Sequence, residues 1–335
     1  MTDKEQVDDL ARPAADRHGA AAGGPPPVAP SVAVVIATRD RPELLRRAVA
    51  SVLAQRYPGD IEVLAVFDQC DPDADLARDE PAAGGAQRRV RVLANARTPG
   101  LAGARNTGIT TAATDLVAFC DDDDLWLPGK LAAQVDLLGS DPELELVTTG
   151  VLVETRGRVS TRVLDRGRIT HDELLHSRVS EAHPSTYLAR RDSVLEGIGL
   201  VDEELPGSYA EDYDWLLRAA RRADIGAVTL PLVKVFWHRS SFFAERWQTI
   251  VDALDHLLAA HPELASVPAG VARIEGQQAF ARASMGDRRG AWRSARSALS
   301  HRRGEPRAWL ALLVASGAVR SEWVLRALQA GGRGI

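Results

Sequence analysis

The stretch Leu116-Val117-Ala118-Phe119-Cys120-Asp121-Asp122-Asp123-Asp124-Leu125-Trp126 joins a short apolar run to four consecutive carboxylates and a bulky aromatic. The apolar run has the length of a buried strand. Four anions side by side repel one another, and a chain that fixes them at a strand end usually does so because a cation neutralises them. In extended backbone Asp121 and Asp123 point to the same side, so that pair can share one hard divalent ion through oxygen ligands. A solvated acidic turn is the alternative, and the flanking sequence has to decide between them.

Upstream, Ser31-Val32-Ala33-Val34-Val35-Ile36-Ala37-Thr38 is β-rich and apolar throughout, as a central parallel strand requires. Asp40 is placed to cap a helix, Pro42 suits its first turn, and Leu44, Leu45, Ala48, Val49, Val52 and Leu53 recur at helical spacing. Residues 61–67 read as a second strand, so the opening is strand, helix, strand with a right-handed parallel crossover. The second strand runs into Asp68-Gln69-Cys70-Asp71, at the strand end where open α/β sheets bind ligands. A third strand over 90–93 leads to Thr98-Pro99-Gly100-Leu101-Ala102-Gly103-Ala104-Arg105-Asn106-Thr107-Gly108, whose small residues allow close backbone approach. Arg105 there offers a planar donor fork to a phosphate. The glycine spacing matches neither a dinucleotide nor a P-loop fingerprint.

Downstream, a helix over 128–138 and a strand over 144–153 are followed by arginine-rich residues 154–182 with little periodicity, where mobile loops are expected. A short strand follows His183-Pro184-Ser185, and a short helix covers 192–197. A helix starting near Glu211-Asp212 puts acidic side chains at its positive end. Strands over 225–229 and 232–237 end at His238. From about residue 243 the composition turns to Ala, Arg, Leu and Trp without strand signal, and residues 277–300, with Gly286-Asp287 between two helical patterns, form a helical hairpin. The expected organisation is an Ala/Gly/Pro-rich disordered tail over 1–29, an α/β domain over 30–242 and an α-helical extension over 243–335.

At 335 residues, 45% hydrophobic and 26% charged, the chain is an ordinary globular composition with ample core. A net charge of -5 gives no general support for nucleic-acid binding. Its two cysteines, Cys70 and Cys120, show no metal spacing or disulfide framework. No run reaches the roughly 18 to 20 apolar residues of a membrane helix, and the N-terminus lacks the apolar core of a secretory signal. The cytoplasm is the expected compartment, with peripheral membrane contact and homo-oligomerisation left open.

Taken in order, Val34-Val35-Ile36-Ala37-Thr38 with Arg41-Pro42, Asp68, Gly103-Ala104-Arg105-Asn106-Thr107-Gly108, Asp121-Asp122-Asp123-Asp124-Leu125-Trp126 and Glu211-Asp212 resemble the family-2 glycosyltransferases with the GT-A fold. The resemblance covers about residues 31 to 240. It implies a Rossmann-like, mostly parallel central sheet flanked by helices, and an inverting transfer from a nucleotide-diphosphate sugar, UDP-sugar first, to an acceptor hydroxyl. By position, Asp121 and Asp123 look like the ends of the family's D-x-D motif, which holds Mg²⁺ or Mn²⁺, and His238 falls near a family histidine that can reach the metal. Asp212 looks like the general base, while Thr38, Arg41, Asp68, Arg105, Asp121 and Asp122 match the donor pocket. The turn Phe67-Asp68-Gln69-Cys70 departs from the acidic pair and Gly-Ser common in the family, which leaves the base and ribose contacts open.

The residues suit this chemistry in their own right. A metal-bound leaving group spreads the charge built on the diphosphate, and a carboxylate across the sugar takes the acceptor's proton. A phosphotransferase with an Asp nucleophile would carry its acidic pair on the first strand, and residues 31–38 have none. A metal-dependent nucleotidyltransferase and a non-catalytic nucleotide- or sugar-binding module remain as alternatives.

Overall fold

The computed structural model describes residues 29–155, 157–237 and 246–330. Most of the expected N-terminal tail, and His238, lie outside these residues. One sheet contains β1 (Val32–Thr38), β2 (Ile61–Phe67), β3 (Arg78–Pro81), β4 (Gln87–Ala94), β5 (Leu116–Phe119), β6 (Leu125–Trp126), β7 (Leu146–Thr155), β8 (Arg158–Arg162), β9 (Arg168–Ile169), β10 (Leu188–Arg190) and β11 (Ile225–Phe236). The spatial order β4-β2-β1-β5 is parallel throughout, with β3 antiparallel on its edge. Beyond β5 the antiparallel β10 leads to the parallel pair β7 and β11. The carboxyl ends of β4, β2, β1 and β5 therefore open on one edge.

The apolar residues of β1 alternate between two cores, which is why both of its faces are covered. Val32, Val34 and Ile36 pack with Leu45, Ala48, Val49 and Val52 of helix α1 (Pro42–Leu53). Ala33 and Val35 pack with Ala102, Ala104 and Ile109 of α2 (Leu101–Thr111) on the other side. Asp40 does not cap α1, because its backbone takes a left-handed φ of 54° and Arg41 occupies the capping position. Pro42 does stand in the first turn. Helix α3 (Lys130–Ser140) follows the acidic stretch.

Two expectations about irregular chain are overturned. The described residues of 154–182 carry regular structure: β8 pairs antiparallel with β7, and α4 (His171–His176) begins at a capping box. There the Glu173 amide donates to Thr170 Oγ1 at 3.2 Å and the Thr170 amide to Glu173 Oε2 at 2.8 Å. The Thr-x-x-Glu spacing before Leu174 and Leu175 carried that signal. The two strands expected between 225 and 237 are one, β11, whose register with β7 slips at Pro231. Proline has no N–H to give to a ladder, so the strand continues past an irregularity.

Helix α5 (Glu211–Ala220) is covered by the C-terminal helices α6 (Trp247–Ala260) and α7 (Pro268–Ser284). Trp215, Leu216 and Leu217 share one buried cluster with Leu254, Leu257, Leu264 and Ile274. A third, alanine-rich core joins the end of α7 to α8 (Arg288–His301), α9 (Pro306–Ala315) and α10 (Ser321–Ala330). Among the described residues no helix is long and apolar enough to cross a membrane.

Gly108 fixes how closely α2 approaches the sheet. A Cβ there would lie 2.6 Å from Val35 Cγ2. Overpacking of this kind costs about 1–3 kcal/mol, more than the roughly 1 kcal/mol that alanine gains over glycine in a helix. Gly108→Ala is therefore expected to lower the urea midpoint at unchanged m-value; a higher midpoint would mean that this contact does not set the packing.

Candidate active site at the carboxyl edge of the sheet

The four carboxylates do not continue β5 as extended chain. The Asp124 amide donates to the Asp121 carbonyl at 3.1 Å, closing a turn. Positions i and i+3 then converge. Carboxylate oxygens of Asp121 and Asp124 and a ring nitrogen of His183 lie within 4.8 Å of one another. The partner expected for Asp121, Asp123, instead has an oxygen 3.2 Å from Arg41 Nη1. Asp122 turns inward, accepting from Thr38 Oγ1 at 2.7 Å and from Arg41 at 3.1 Å. Burial pushes its carboxyl up to about 6, opposed by those two donors. Asp124 is pushed well above the usual range by burial and by Asp121, with Ser185 acting against them.

Ser185 closes the turn from the side. Its hydroxyl donates to Asp124 at 2.6 Å and accepts from the Asp121 amide at 2.9 Å, while its carbonyl receives the Trp126 indole N–H at 2.9 Å. The topology explains the meeting: β10 is antiparallel to β5, so the chain entering β10 stands level with the chain leaving β5. His183 and Ser185 reach the acidic turn for this reason. Burial lowers the His183 imidazole, which keeps it neutral and able to ligate a metal.

Arg105, only 3% exposed, lies between Asp121, at 2.7 Å, and Glu211 at the start of α5. Its fork, expected for a phosphate, is taken by protein carboxylates, with Phe119 5.3 Å beneath it. Burial raises Glu211 to about 7 against the pull of Arg105. Burial alone would raise Asp212 as well, but Arg178, in direct contact with it, holds its carboxyl below the ordinary range. Asp212 is thus ionised at neutral pH, as a general base must be. Arg178 also lines a cleft of about 530 Å³ with Leu164, Arg166, His176 and Glu181.

At the other end, Asp68 accepts from Asn95 at 2.8 Å, from the Gly100 amide at 3.0 Å and from Gln69 at 2.8 Å. Burial would raise its carboxyl, and these donors together bring it below the usual value. Its own amide donates to the Thr38 carbonyl at 2.9 Å. Among the described residues the non-glycine positions with left-handed backbone are Asp40, Gln69, Ser208 and Ala210. These follow β1 and β2 or immediately precede α5, so the unusual backbone gathers around this edge.

Thr38, Arg41, Asp68, Arg105, Asp121, Asp122, Asp123 and Asp212 all fall on this carboxyl edge or at the helix start facing it. His238 is outside the described residues. Sequence reasoning missed Arg178, His183 and Ser185. Only the last two carried a signal, their position directly before a short strand.

An open sheet with a carboxylate cluster at its parallel strand ends is the architecture of an α/β enzyme domain that binds its ligand at that edge. The family model described as glycosyl transferase family 2 matches residues 33–194, and these residues form a domain of that family. A pre-mycofactocin glycosyltransferase of Mycobacterium tuberculosis is 34% identical over 206 residues, 57% of this chain and 40% of that protein. The succinoglycan biosynthesis protein ExoW of Rhizobium meliloti is 41% identical over 99 residues, 27% of this chain and 28% of its own. The chain thus spans well under half the length of these relatives. S. aureus TarS in complex with UDP-GlcNAc superposes with a TM-score of 0.55 at 13% identity, over 86% of this chain and 91% of that one. Mannosyltransferase PcManGT from Pyrobaculum calidifontis, in complex with GDP-Man and Mn²⁺, gives 0.51 at 19% identity, over 94% and 85%. At such identities the likeness is one of fold, the GT-A fold with helices added at its C-terminal end.

Ser185→Ala leaves the buried Asp124 carboxylate and the Asp121 amide each one partner short. Unmade bonds at buried groups cost about 1–3 kcal/mol each. The variant should unfold at correspondingly lower denaturant, and an unchanged midpoint would take Ser185 out of this role.

Proposed function

We propose that the chain is a metal-dependent inverting glycosyltransferase, moving a sugar from a nucleotide-diphosphate donor to an acceptor hydroxyl. One observation carries the reading: Arg105 couples the carboxylate turn after β5 to the first turn of α5, where Asp212 is ionised against Arg178, a residue that lines the cleft. Donor and base are then addressed by a single rigid network on opposite sides of one edge. The metal-binding residues would be Asp121 with Asp124 and His183, and Asp123 at the rim. The two carboxylates suit Mn²⁺ or Mg²⁺, and the neutral imidazole beside them favours Mn²⁺, since Mg²⁺ takes oxygen ligands. When bound, the ion supplies Lewis-acid stabilisation of the departing diphosphate.

Thr38, Arg41 and Asp68 would line the nucleoside end, with Asp122 holding Thr38 and Arg41 in place. Arg105 acts here as a positioning residue, since both of its forks are engaged. The cleft beside Arg178 would take the acceptor, and Asp212 would remove the proton from its hydroxyl. A UDP-sugar is the donor proposed first. Support comes from TarS, whose complexes are with UDP and UDP-GlcNAc, and from a related E. coli protein named for UDP-Glc. The GDP-Man of PcManGT makes a guanine donor the second choice.

A thermal-shift panel of UDP, GDP, dTDP and CDP, with and without Mn²⁺, tests this reading. One nucleotide should stabilise the chain in the presence of metal, by about 2.7 kcal/mol at a hundredfold excess over Kd, and Asp121→Asn should abolish the shift. No response to any of them would sink it. Pyrophosphate release from a nucleoside triphosphate would make the chain a nucleotidyltransferase, and metal-dependent binding without turnover a binding module.

Two substitutions separate the roles at the base. Asp212→Asn should cut kcat by about 10²- to 10⁴-fold while leaving nucleotide affinity intact. Arg178→Gln removes the cation that lowers Asp212 and leaves burial to raise it, so the acidic limb of the kcat/KM profile should move toward neutral pH. A limb that stays in place would mean that another group is titrating.

A further inference from the structure

The last three helices carry a surface that the donor and acceptor sites do not use. Residues 286–327 contain nine arginines, no lysine and only Asp287, Glu305 and Glu322 as acids, in a chain whose net charge is -5. Arg307 pairs with Glu305 at 3.0 Å and Arg320 approaches Glu322 at 3.8 Å. Among the described residues Arg288, Arg289, Arg293, Arg296, Arg302 and Arg303 have no ion-pair partner, and all are exposed. Such a concentration of unneutralised cations is costly for the fold alone and points outward, to an anionic surface.

Tryptophans stand among these arginines. Each helix buries a seam and leaves an indole outside. In α8, Ala291, Ala295 and Ala298 are buried and Trp292 is 48% exposed; in α9, Ala308, Ala311 and Ala315 are buried and Trp309 is 53% exposed; in α10, Val324 is buried and Trp323 is 62% exposed. Leu313 and Met285 are exposed in the same region. On α8, Arg288, Trp292 and Arg296 are spaced four residues apart and so form one stripe, flanked by Arg289 and Arg293. Water is a poor environment for three indoles, whereas the headgroup layer of a bilayer accepts both an indole and a guanidinium.

We propose that α8–α10 form a docking surface for an anionic phospholipid membrane, with the arginines on lipid phosphates and the tryptophans at headgroup depth. The guanidinium fork matches phosphate geometry. Nucleic acid also presents phosphates, but the aliphatic tips of Leu313 and Met285 have no stacking partner there and meet hydrocarbon in a bilayer. The apolar faces of all three helices are already spent on the alanine-rich core. Attachment is therefore shallow, electrostatic and reversible, unlike that of an amphipathic helix with a free apolar face.

The test uses the full chain and vesicles of phosphatidylcholine with and without phosphatidylglycerol, read by co-sedimentation and by quenching of tryptophan fluorescence with brominated lipid. Binding is expected only with phosphatidylglycerol and should fall steeply as salt is raised. Each of Arg289→Gln, Arg293→Gln and Arg296→Gln should weaken partitioning about fivefold. Replacing Trp292, Trp309 and Trp323 by Ala should remove the lipid quenching. The three arginines are exposed and unpaired, so their replacement should leave far-UV circular dichroism and the thermal midpoint in place; the tryptophans are about half buried and Trp309 donates to the Arg303 carbonyl at 2.9 Å, so their variant is compared at matched far-UV circular dichroism. Absence of binding to anionic vesicles at low salt overturns the proposal, as does binding that survives the triple arginine variant. Retention by single-stranded RNA without vesicle binding would assign the surface to nucleic acid instead. None of these readouts depends on glycosyl transfer, so the proposal stands or falls apart from the enzymatic reading.

Discussion

The buried guanidinium of Arg105 is the contact on which the site depends. It stands on α2, packed against β1 through Gly108, and it holds one carboxylate from the end of β5 and one from the start of α5. Two anions brought to one point in a low-dielectric edge would repel; a cation between them converts that repulsion into a clamp. Removing one partner of such a buried set leaves an uncompensated charge, so the three residues stand or fall together. The relative placement of the carboxylate turn and the start of α5 is thereby fixed by charge balance as well as by apolar packing.

The same logic runs across the whole edge. Asp122 and Asp123 share Arg41, Asp121 and Glu211 share Arg105, and Asp212 has Arg178. Among the described residues Asp124 has no arginine partner; the Ser185 hydroxyl, His183 and the Phe236 backbone meet it, and burial drives it toward the protonated form. Asp124 thus meets Asp121 and an imidazole at one point, where a divalent ion could offset the charge that Arg105 does not balance. Left-handed backbone at Asp40, Gln69, Ser208 and Ala210 surrounds the same edge, consistent with loops shaped for a ligand at some cost in local conformational energy.

The sheet was legible because its central strands are apolar on both faces, a pattern that few other elements share. Residues 32–38, 61–67 and 116–119 could hardly be anything else. The site was legible by residue but not by geometry. The pairing of Asp121 with Asp123 assumes extended chain, whereas the chain turns here, which also brings Asp124 to Asp121 and sets Asp123 against Arg41. Arg105 was read as a phosphate ligand because its fork invites one; that two carboxylates would fill it depends on α5 arriving from more than a hundred residues away. Arg178 had no local signature and His183 only its place before a short strand, since the pairing of β10 with β5 is what brings that segment to the acidic turn. The capping box at Thr170 was legible and was passed over in favour of the arginine content around it.

Position along the chain also misleads about the C-terminal helices. Composition sets them apart, yet α6 and α7 complete the core that seats the helix bearing Asp212. His261, at the end of α6, accepts from Arg221 at Nδ1 at 2.9 Å, which leaves its Nε2–H to donate to Asp214 at 2.8 Å. Asp214 also takes both arms of Arg218, at 3.0 and 2.8 Å, and Arg273 of α7 reaches the Tyr213 hydroxyl at 2.9 Å. Helix α5 is therefore gripped on both sides: by Arg105 and Arg178 at its first turn, and by α6 and α7 along its back. Asp212, two residues from such a grip, has little freedom of its own, and its position relative to the carboxylate turn depends on helices that the family match does not reach. The boundary of the matched segment is in this sense no boundary of the site.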